Sequence, residues 1–471
     1  MEEITVDVAI IGSGTAGLNA MGQVRRAGKS FVLVNGGEAG TTCARVGCMP
    51  SKVLIQVAED FHRRRLFGRC GIEGGDALSV DKPEVMEYVQ HIRDNFVDRV
   101  LSNSTDHLGD EFIEDYARFV EPTLLKTGDK RIRATSVVIA TGSTPIVPDA
   151  WRAFGERVIT TDEFFELEDL PDSMAVIGLG VIGLELGQAL NRLGVTVTGI
   201  DLAENIGGLS DPVVARHALD IMSKEFPIWL GEAAELSESD DGRIRVRAGD
   251  NEVVVDKVLA SMGRRPNIDH LNLEALGVET DAKGVPLHSQ ATCQVGDLPV
   301  FLAGDVNGHR PILHEAGDDG KIAGYNAAHP DTVTAFQRKP WIGITFCDPN
   351  IITVGQTFGH IDHDSAAIGE MPVAPVGRAL IMGKNKGMIR LYADKASSRF
   401  LGAEMIAPAG EHLAHLLVWA IQQEMTVGEM LRMPFYHPVM EEAVQAALNK
   451  LYAEVDTKNP GPITELATLQ T

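Results

Sequence analysis

The chain has 471 residues, 44% of them hydrophobic and 23% charged, and a formal net charge of −24 from 42 basic and 66 acidic side chains. That length exceeds one ordinary core and implies roughly two to four domains; the acidity argues against nucleic acid or an anionic membrane surface as the main partner. The opening MEEITVDVAI lacks the basic segment of a secretory signal, no apolar run reaches a membrane span, and five cysteines are too few for a secreted disulfide scaffold. A cytoplasmic protein is expected, in which a disulfide is more often catalytic than structural.

In chain order, Val6–Ile11 reads as a buried parallel strand. Gly12, Gly14 and Gly17 follow at GxGxxG spacing, then a helix over Thr15–Gly28 and a strand over Phe31–Val34, which ends at Asn35. The glycines permit a tight turn and close backbone approach to a pyrophosphate, and the helix N-terminus offers free N–H groups to that anion. The pattern recurs: strand Met174–Ile177, then Gly178, Gly180 and Gly183, then strand Val195–Ile200 ending at Asp201. Two such units are far stronger evidence of dinucleotide binding than one. In the second, Asp201 is placed for the adenosine ribose hydroxyls, and no Arg or Lys follows before Arg216. This predicts NAD rather than NADP. Two further strands end in nucleotide-type turns: Ser136–Ser143, through Thr141 and Gly142, and Val300–Asp305, where Asp305 can accept bonds from a ribityl or ribose hydroxyl.

Cys43 and Cys48 lie five positions apart in GTTCARVGCMPSK, Gly40–Lys52. No second cysteine pair or nearby His supports zinc, and a staple across five residues would constrain little chain. In a regular helix such positions have Cα atoms about 8–9 Å apart, whereas disulfides rarely exceed about 7 Å. A closed pair therefore requires a distorted first turn, with Gly47 supplying the freedom. A helix from Pro50 to about Leu66 would set its positive end near Cys48 and favour a thiolate there, with Lys52 adding charge. Cys70, Cys293 and Cys347 share no motif and are expected to be buried or incidental.

A helix over Pro83–Leu101 presents Val85, Val89, Ile92, Phe96 and Val100 as a core stripe. Leu236–Asp241 reads as a solvated acidic turn, His62–Arg65 as a solvated basic face able to meet an acidic carrier, and the tail after Asp456 as poorly packed. From about Trp341 short strands, Ile351–Val354 and Gly387–Tyr392, precede helices near Glu411–Gln423 and Met440–Leu451. The fold class is α/β, with two Rossmann-like dinucleotide-binding domains and a C-terminal α+β domain.

GTTCARVGCMPSK, both glycine motifs, ATGS, GRRPN (Gly263–Asn267), AGD and YHPVMEE (Tyr436–Glu442) together resemble the flavin-dependent pyridine nucleotide–disulfide oxidoreductases over nearly the whole chain. The resemblance implies that 1–150 and 272–340 bind FAD, 151–271 bind NAD, and 341–471 form a homodimer interface. FAD would be held by Gly12, Gly14, Gly17, Asn35, Thr42, Lys52, Thr141, Gly142 and Asp305, and NAD by Gly178, Gly180, Gly183, Asp201 and Gly263. Cys43 would be the interchange thiol and Cys48 the charge-transfer thiolate, with Lys52 paired to Glu185 beside the flavin. His437 from the other subunit would be the base, oriented by Glu442. Asn35 stands where the family carries a ribose-binding Glu, Glu441 where it carries a small residue, and Val181 where many relatives carry a Tyr gating the nicotinamide pocket. The branch that oxidises dihydrolipoyl groups fits best, its substrate a lipoyl-carrier protein. The alternatives are an NADH-dependent reductase of another small disulfide or persulfide, or a structural flavoprotein subunit of a multienzyme complex.

Overall fold

The computed structural model describes residues 2–469; Met1, Gln470 and Thr471, the last two belonging to the expected C-terminal tail, lie outside the described residues. The chain builds three main sheets, and it leaves and re-enters the first two. Strands β1 (Glu2–Ile11) and β2 (Phe31–Val34) flank helix α1 (Thr15–Arg26). Two helices, α2 (Thr42–Val46) and α3 (Cys48–His62), then lead to the long α4 (Lys82–Asn103). Strands β3 (Phe112–Ile113), β4 (Ala117–Glu121), β5 (Leu124–Thr127) and β6 (Lys130–Ile139) complete the first visit, in the order β3-β2-β1-β6-β5-β4. β1 pairs in parallel with β2 and β6, and its last four residues, Val8–Ile11, are buried. A continuous apolar run is what a parallel strand covered on both faces requires.

The short β7 (Ser143–Pro145) carries the chain out to the second sheet. That sheet contains β8 (Val158–Ile159), followed by the short α5 (Thr161–Phe164), and β9 (Ser173–Ile177), followed by α6 (Val181–Arg192). β10 (Thr196–Asp201), α7 (Pro212–Met222) and β11 (Ile228–Leu230) follow. A three-stranded antiparallel sheet of β12 (Glu235–Glu238), β13 (Ile244–Ala248) and β14 (Asn251–Val255) intervenes before β15 (Lys257–Ala260) closes the all-parallel order β11-β10-β9-β15-β8. β16 (Arg264–Pro266) returns antiparallel to β7, and β17 (Val300–Leu302) rejoins the first sheet beside β6. Helix α8 (Leu313–Ala328) packs on α1 so closely that Cβ atoms at Gly320 and Gly324 would lie 2.1 and 2.4 Å from the carbonyl oxygens of Ala16 and Ala20.

The third sheet is antiparallel, β18-β19-β22-β21-β20, from Ile342–Thr345 (β18), Asn350–Gly355 (β19), Ala366–Pro372 (β20), Met388–Asp394 (β21) and Phe400–Ala407 (β22). Between β20 and β21 lies α9 (Gly377–Met382); after β22 come α10 (Gly410–Gln422), α11 (Val427–Leu431) and α12 (Glu441–Glu454). Among the described residues no helix is long and apolar enough to cross a membrane.

Three expectations need correction. Residues 235–238 are not a turn but the edge strand β12, its acidic side chains outward; the turn is confined to the Ser239–Arg243 loop, where Asp241 accepts from Ser239 and Arg243. Of the five residues read as core on α4 only Val89 is buried, joined by Met86, because α4 presents one narrow stripe to its neighbours. The helix after the cysteines ends at His62 and tightens into a 3-10 turn over Arg63–Cys70, and His62 is half-buried beside Arg192 rather than part of a solvated face. The tail is loosely packed as expected: among the described residues it has no helix or strand after Glu454, and Ile463, Leu466 and Leu469 are exposed, with two local ties, the Asn459 N–H donating to the Tyr452 hydroxyl at 2.6 Å and Arg432 to the Pro460 carbonyl at 3.3 Å.

The C-terminal sheet is tied to the second unit by a buried carboxylate. Glu404 is fully buried and accepts from the backbone N–H groups of Ser210, Asp211 and Phe358, each at 2.9 Å. Asp211, also fully buried, accepts from the Tyr392 hydroxyl at 2.8 Å. Glu404→Ala strands those N–H groups away from water, at about 1–3 kcal/mol each. We expect a loss of at least about 3 kcal/mol in denaturant unfolding; a loss below about 1 kcal/mol would show that water replaces the carboxylate.

Candidate active site

The two glycine turns divide their labour in the same way. A Cβ at Gly12 would lie 2.2 Å from the Ala140 carbonyl oxygen, and one at Gly17 would lie 1.8 Å from the oxygen of Gly12. In the second turn the matching distances are 2.4 Å from Gly178 to Ser261 O and 1.9 Å from Gly183 to Gly178 O. The first glycine of each turn therefore lies against the end of a neighbouring strand, and the third lets the helix lie close on the turn. The middle ones, Gly14 and Gly180, have nothing within 4 Å of a Cβ position and line one cleft of about 1190 Å³. Both turns thus fit a dinucleotide, with bare backbone and a helix N-terminus toward its phosphates.

The residues ending the second strands hold these turns. Asn35 accepts from the Ser13 N–H at 3.1 Å and donates to the Gly37 carbonyl at 2.5 Å; Asp201 accepts from the Leu179 N–H at 2.5 Å and the Ala203 N–H at 2.9 Å. Asp201 lines the cleft and Asn35 does not. Thr42, Gly142, Gly263 and Asp305 also line it, whereas Thr141 turns away and exchanges hydrogen bonds with Asn267.

Cys43 and Cys48 sit in that same cleft. Gly47, at φ −130° and ψ −121°, breaks the helix between α2 and α3. A Cβ at Gly47 would stand 2.9 Å from the Thr42 carbonyl oxygen and 3.2 Å from the Cys43 Cα. The glycine thus lets the two turns approach closely, with Cys43 and Cys48 on one cleft and each shifting the titration of the other. Cys48 begins α3, and the hydrogen bond from Cys43 and the Lys52 charge pull its thiol down to about 7 against the cost of burial. Cys43 is pushed up by that same hydrogen bond, by burial and by the charge of its neighbour. The pair is asymmetric: Cys48 gives up its proton more readily than Cys43.

Lys52, one turn along α3, reaches Glu185 on α6 at 2.7 Å. Glu185 is only 3% exposed, and its other oxygen accepts from the Phe346 N–H at 2.8 Å. The Lys52 ammonium also lies 4.8 Å from the centre of the Phe346 ring. Three parts of the chain thereby meet beside the thiols. His437 and Glu442 lie elsewhere. Their side chains bond at 2.8 Å, Glu442 also accepts from the Val439 N–H at 3.1 Å, and these contacts lower the Glu442 carboxyl. The His437 side chain is 81% exposed and does not line the cleft of its own chain.

Sequence reasoning missed Ser143, Arg264 and Phe346, all cleft-lining. Ser143 and Arg264 were within motifs already noted, ATGS and GRRPN; Phe346 carried no signal, since it acts by a backbone N–H and a ring face. Cys293 and Cys347 are buried, and Cys70 is exposed at the end of the basic turn.

A cleft walled by two Rossmann turns around a dithiol defines a redox protein that passes electrons between thiols and dinucleotides. The chain belongs to the pyridine nucleotide-disulphide oxidoreductases, whose description matches residues 6–329, with the dimerisation domain of the same family at 342–448. Its cofactors are FAD and a nicotinamide dinucleotide. It is 29% identical to dihydrolipoyl dehydrogenase 2 of Haloarcula marismortui, over 94% of this chain and 95% of that protein. It is 28% identical to the dihydrolipoyl dehydrogenase of Bacillus subtilis, over 94% and 97%. Among solved structures, the Cu(II) complex of the HOCl-induced flavoprotein disulfide reductase RclA from Escherichia coli superposes with a TM-score of 0.82 at 21% identity, over 94% of this chain and 99% of that one. LpdA of Mycobacterium tuberculosis gives 0.80 at 20%, over 96% and 100%. These two likenesses show the fold.

Alkylation of the reduced protein should occur first at Cys48, because the thiolate is the nucleophile. Its pKa of about 7 predicts a rate that is low in acid, half-maximal near neutrality and flat above. Lys52→Met removes a charge that favours the thiolate and should move the midpoint upward. A midpoint at the ordinary cysteine value, unchanged by Lys52→Met, would remove Cys48 from this role.

Proposed function

We propose that the protein is an FAD-dependent dihydrolipoamide dehydrogenase that oxidises a protein-bound dihydrolipoyl group with NAD⁺. The observation that carries this reading is the pair Cys43 and Cys48, set in one cleft with a second glycine turn closed by Asp201. On this reading residues 1–150 and 272–340 hold FAD, 151–271 hold NAD, and 341–471 pair two copies of the chain.

The Cys43–Cys48 disulfide accepts the electron pair of the dihydrolipoyl dithiol: one substrate sulfur attacks Cys43, the second expels it, and two cysteine thiols and a lipoyl disulfide result. FAD, which the first glycine turn and Asp305 would hold, would supply the redox chemistry that links the cysteine pair to NAD⁺, the balance being one NADH and one proton for each dithiol oxidised. Cys48, held as thiolate by the helix end and Lys52, is the sulfur on the flavin side. His437 of the partner subunit takes the proton of the attacking thiol, and Glu442 of the partner subunit fixes the ring through Nδ1 and favours its charged form. Lys52 is fixed by Glu185, and Glu185 by the Phe346 N–H, so a cation stays beside the reacting sulfur.

Support for NAD over NADP comes from charge. Asp201, Leu202 and Glu232 line the cleft after the second turn, and Arg216 does not line it. A 2′-phosphate there would meet carboxylates and no cation.

Cys48→Ser should abolish turnover of dihydrolipoamide while FAD stays bound, and His437→Gln should lower it by about 100-fold or more, within the usual span of general-base losses. The reading is tested by steady-state oxidation of dihydrolipoamide with NAD⁺ and then NADP⁺. Rapid turnover with NAD⁺ alone supports it. Absence of turnover, with NADH still reducing the flavin, overturns the substrate assignment in favour of another disulfide.

A further inference from the structure

Asp305 is held by a relay that no part of the mechanism above uses. The Ser143 hydroxyl donates to Asp305 Oδ2 at 2.8 Å. The same hydroxyl accepts from Arg264 Nε at 2.8 Å, and the Ser143 carbonyl accepts from a terminal nitrogen of Arg264 at 2.7 Å. All three residues line the cleft. Ser143 opens β7, where the chain leaves the first sheet, and Arg264 opens β16, where it leaves the second. The two strands pair antiparallel, with Arg264 opposite Pro145 and Ser143 opposite Pro266. From the other side, Asp319 holds the turn that carries Asp305: its Oδ2 accepts from the Gly304 N–H at 3.1 Å and from Asn307 Nδ2 at 2.8 Å.

The chemistry assigns direction to the relay. A guanidinium only donates, a carboxylate only accepts, and a hydroxyl does both. With Arg264 donating to Ser143 Oγ, the hydroxyl proton is committed to Asp305. The carboxylate can then rotate only at the cost of a hydrogen bond to a charged group, the stronger kind. One oxygen is thus fixed, and the other is left to accept from a ligand hydroxyl.

We propose that Ser143 and Arg264 are positioning residues for flavin binding: Arg264 orients the Ser143 hydroxyl, and Ser143 fixes the Asp305 carboxylate that receives a hydroxyl of the FAD ribityl chain. The inference rests on the reading that Asp305 holds FAD. It also means that the crossing strand from the nicotinamide half of the chain sets the geometry of the flavin half.

The test is the equilibrium dissociation constant for FAD of refolded apoprotein, read by flavin fluorescence, which needs no substrate. Asp305→Asn should weaken FAD by about 10-fold or more, and Ser143→Ala by about 10-fold, the range expected for losing one hydrogen bond to a charged acceptor. Ser143→Thr, which keeps the hydroxyl, should restore affinity to within about 3-fold of the parent. Arg264→Lys should weaken FAD, and combining it with Ser143→Ala should add nothing further, because Arg264 acts through the hydroxyl. If Asp305→Asn binds FAD normally, the underlying reading fails. If Asp305→Asn loses FAD while Ser143→Ala does not, or if the double variant shows the product of the two single losses, this inference alone is overturned. Should Ser143→Ala not fold, Ser143→Thr and Arg264→Lys decide it: near-parent affinity for the first with a loss in the second upholds the relay, and equal losses contradict it.

Discussion

The site depends on one steric constraint: the chain must turn at Gly47 between two helical turns without a side chain. Any Cβ there would collide with the Thr42 carbonyl and crowd the Cys43 backbone. The break does three things at once. It lets two thiols five residues apart face one cleft, which a continuous helix forbids. It makes Cys48 the first residue of α3, so that unpaired N–H groups and the helix dipole favour a thiolate there. It also sets Lys52 one turn further on, facing Glu185. The asymmetry of the pair, one thiol lowered and the other raised, follows from this local geometry and not from a distant partner.

Around that break the fold supplies two copies of one device. In each glycine turn the first glycine lies against the end of a neighbouring strand, the third lets the helix lie close on the turn, the middle glycine is open to the cleft, and a polar side chain ending the next strand accepts a backbone N–H of the turn. Asn35 shows that this last role does not need a charge. Its amide holds the first turn as Asp201 holds the second, although Asn35 does not reach the cleft and Asp201 does. Asn35 therefore holds the first turn from outside the cleft.

Much of this was legible in the sequence because the signals are local. Strand, GxGxxG, helix and strand recur with the right spacing, and both paired units formed where expected, to within a few residues. A regular helix cannot bridge Cys43 and Cys48, so a closed pair would require a distorted turn with Gly47 supplying the freedom, and Gly47 is where the structure breaks the helix. What was not legible depends on contacts distant in sequence. The N–H of Phe346 on Glu185, the relay from Arg264 through Ser143, and the burial of Glu404 join residues more than 100 positions apart, or present only backbone or ring faces. Periodicity also overstated the core of α4, since a helical stripe reports which face is apolar and not how much of it is covered.

The central claim is that Cys43 and Cys48 exchange electrons with the nicotinamide nucleotide through the flavin. The most direct measurement is anaerobic addition of NADH to the oxidised protein, with thiols alkylated and mapped by mass spectrometry after each addition. The account predicts that NADH oxidation releases two new alkylation sites, at Cys43 and Cys48, with Cys70, Cys293 and Cys347 unchanged. Bleaching of the flavin with no new thiol at either position would contradict it.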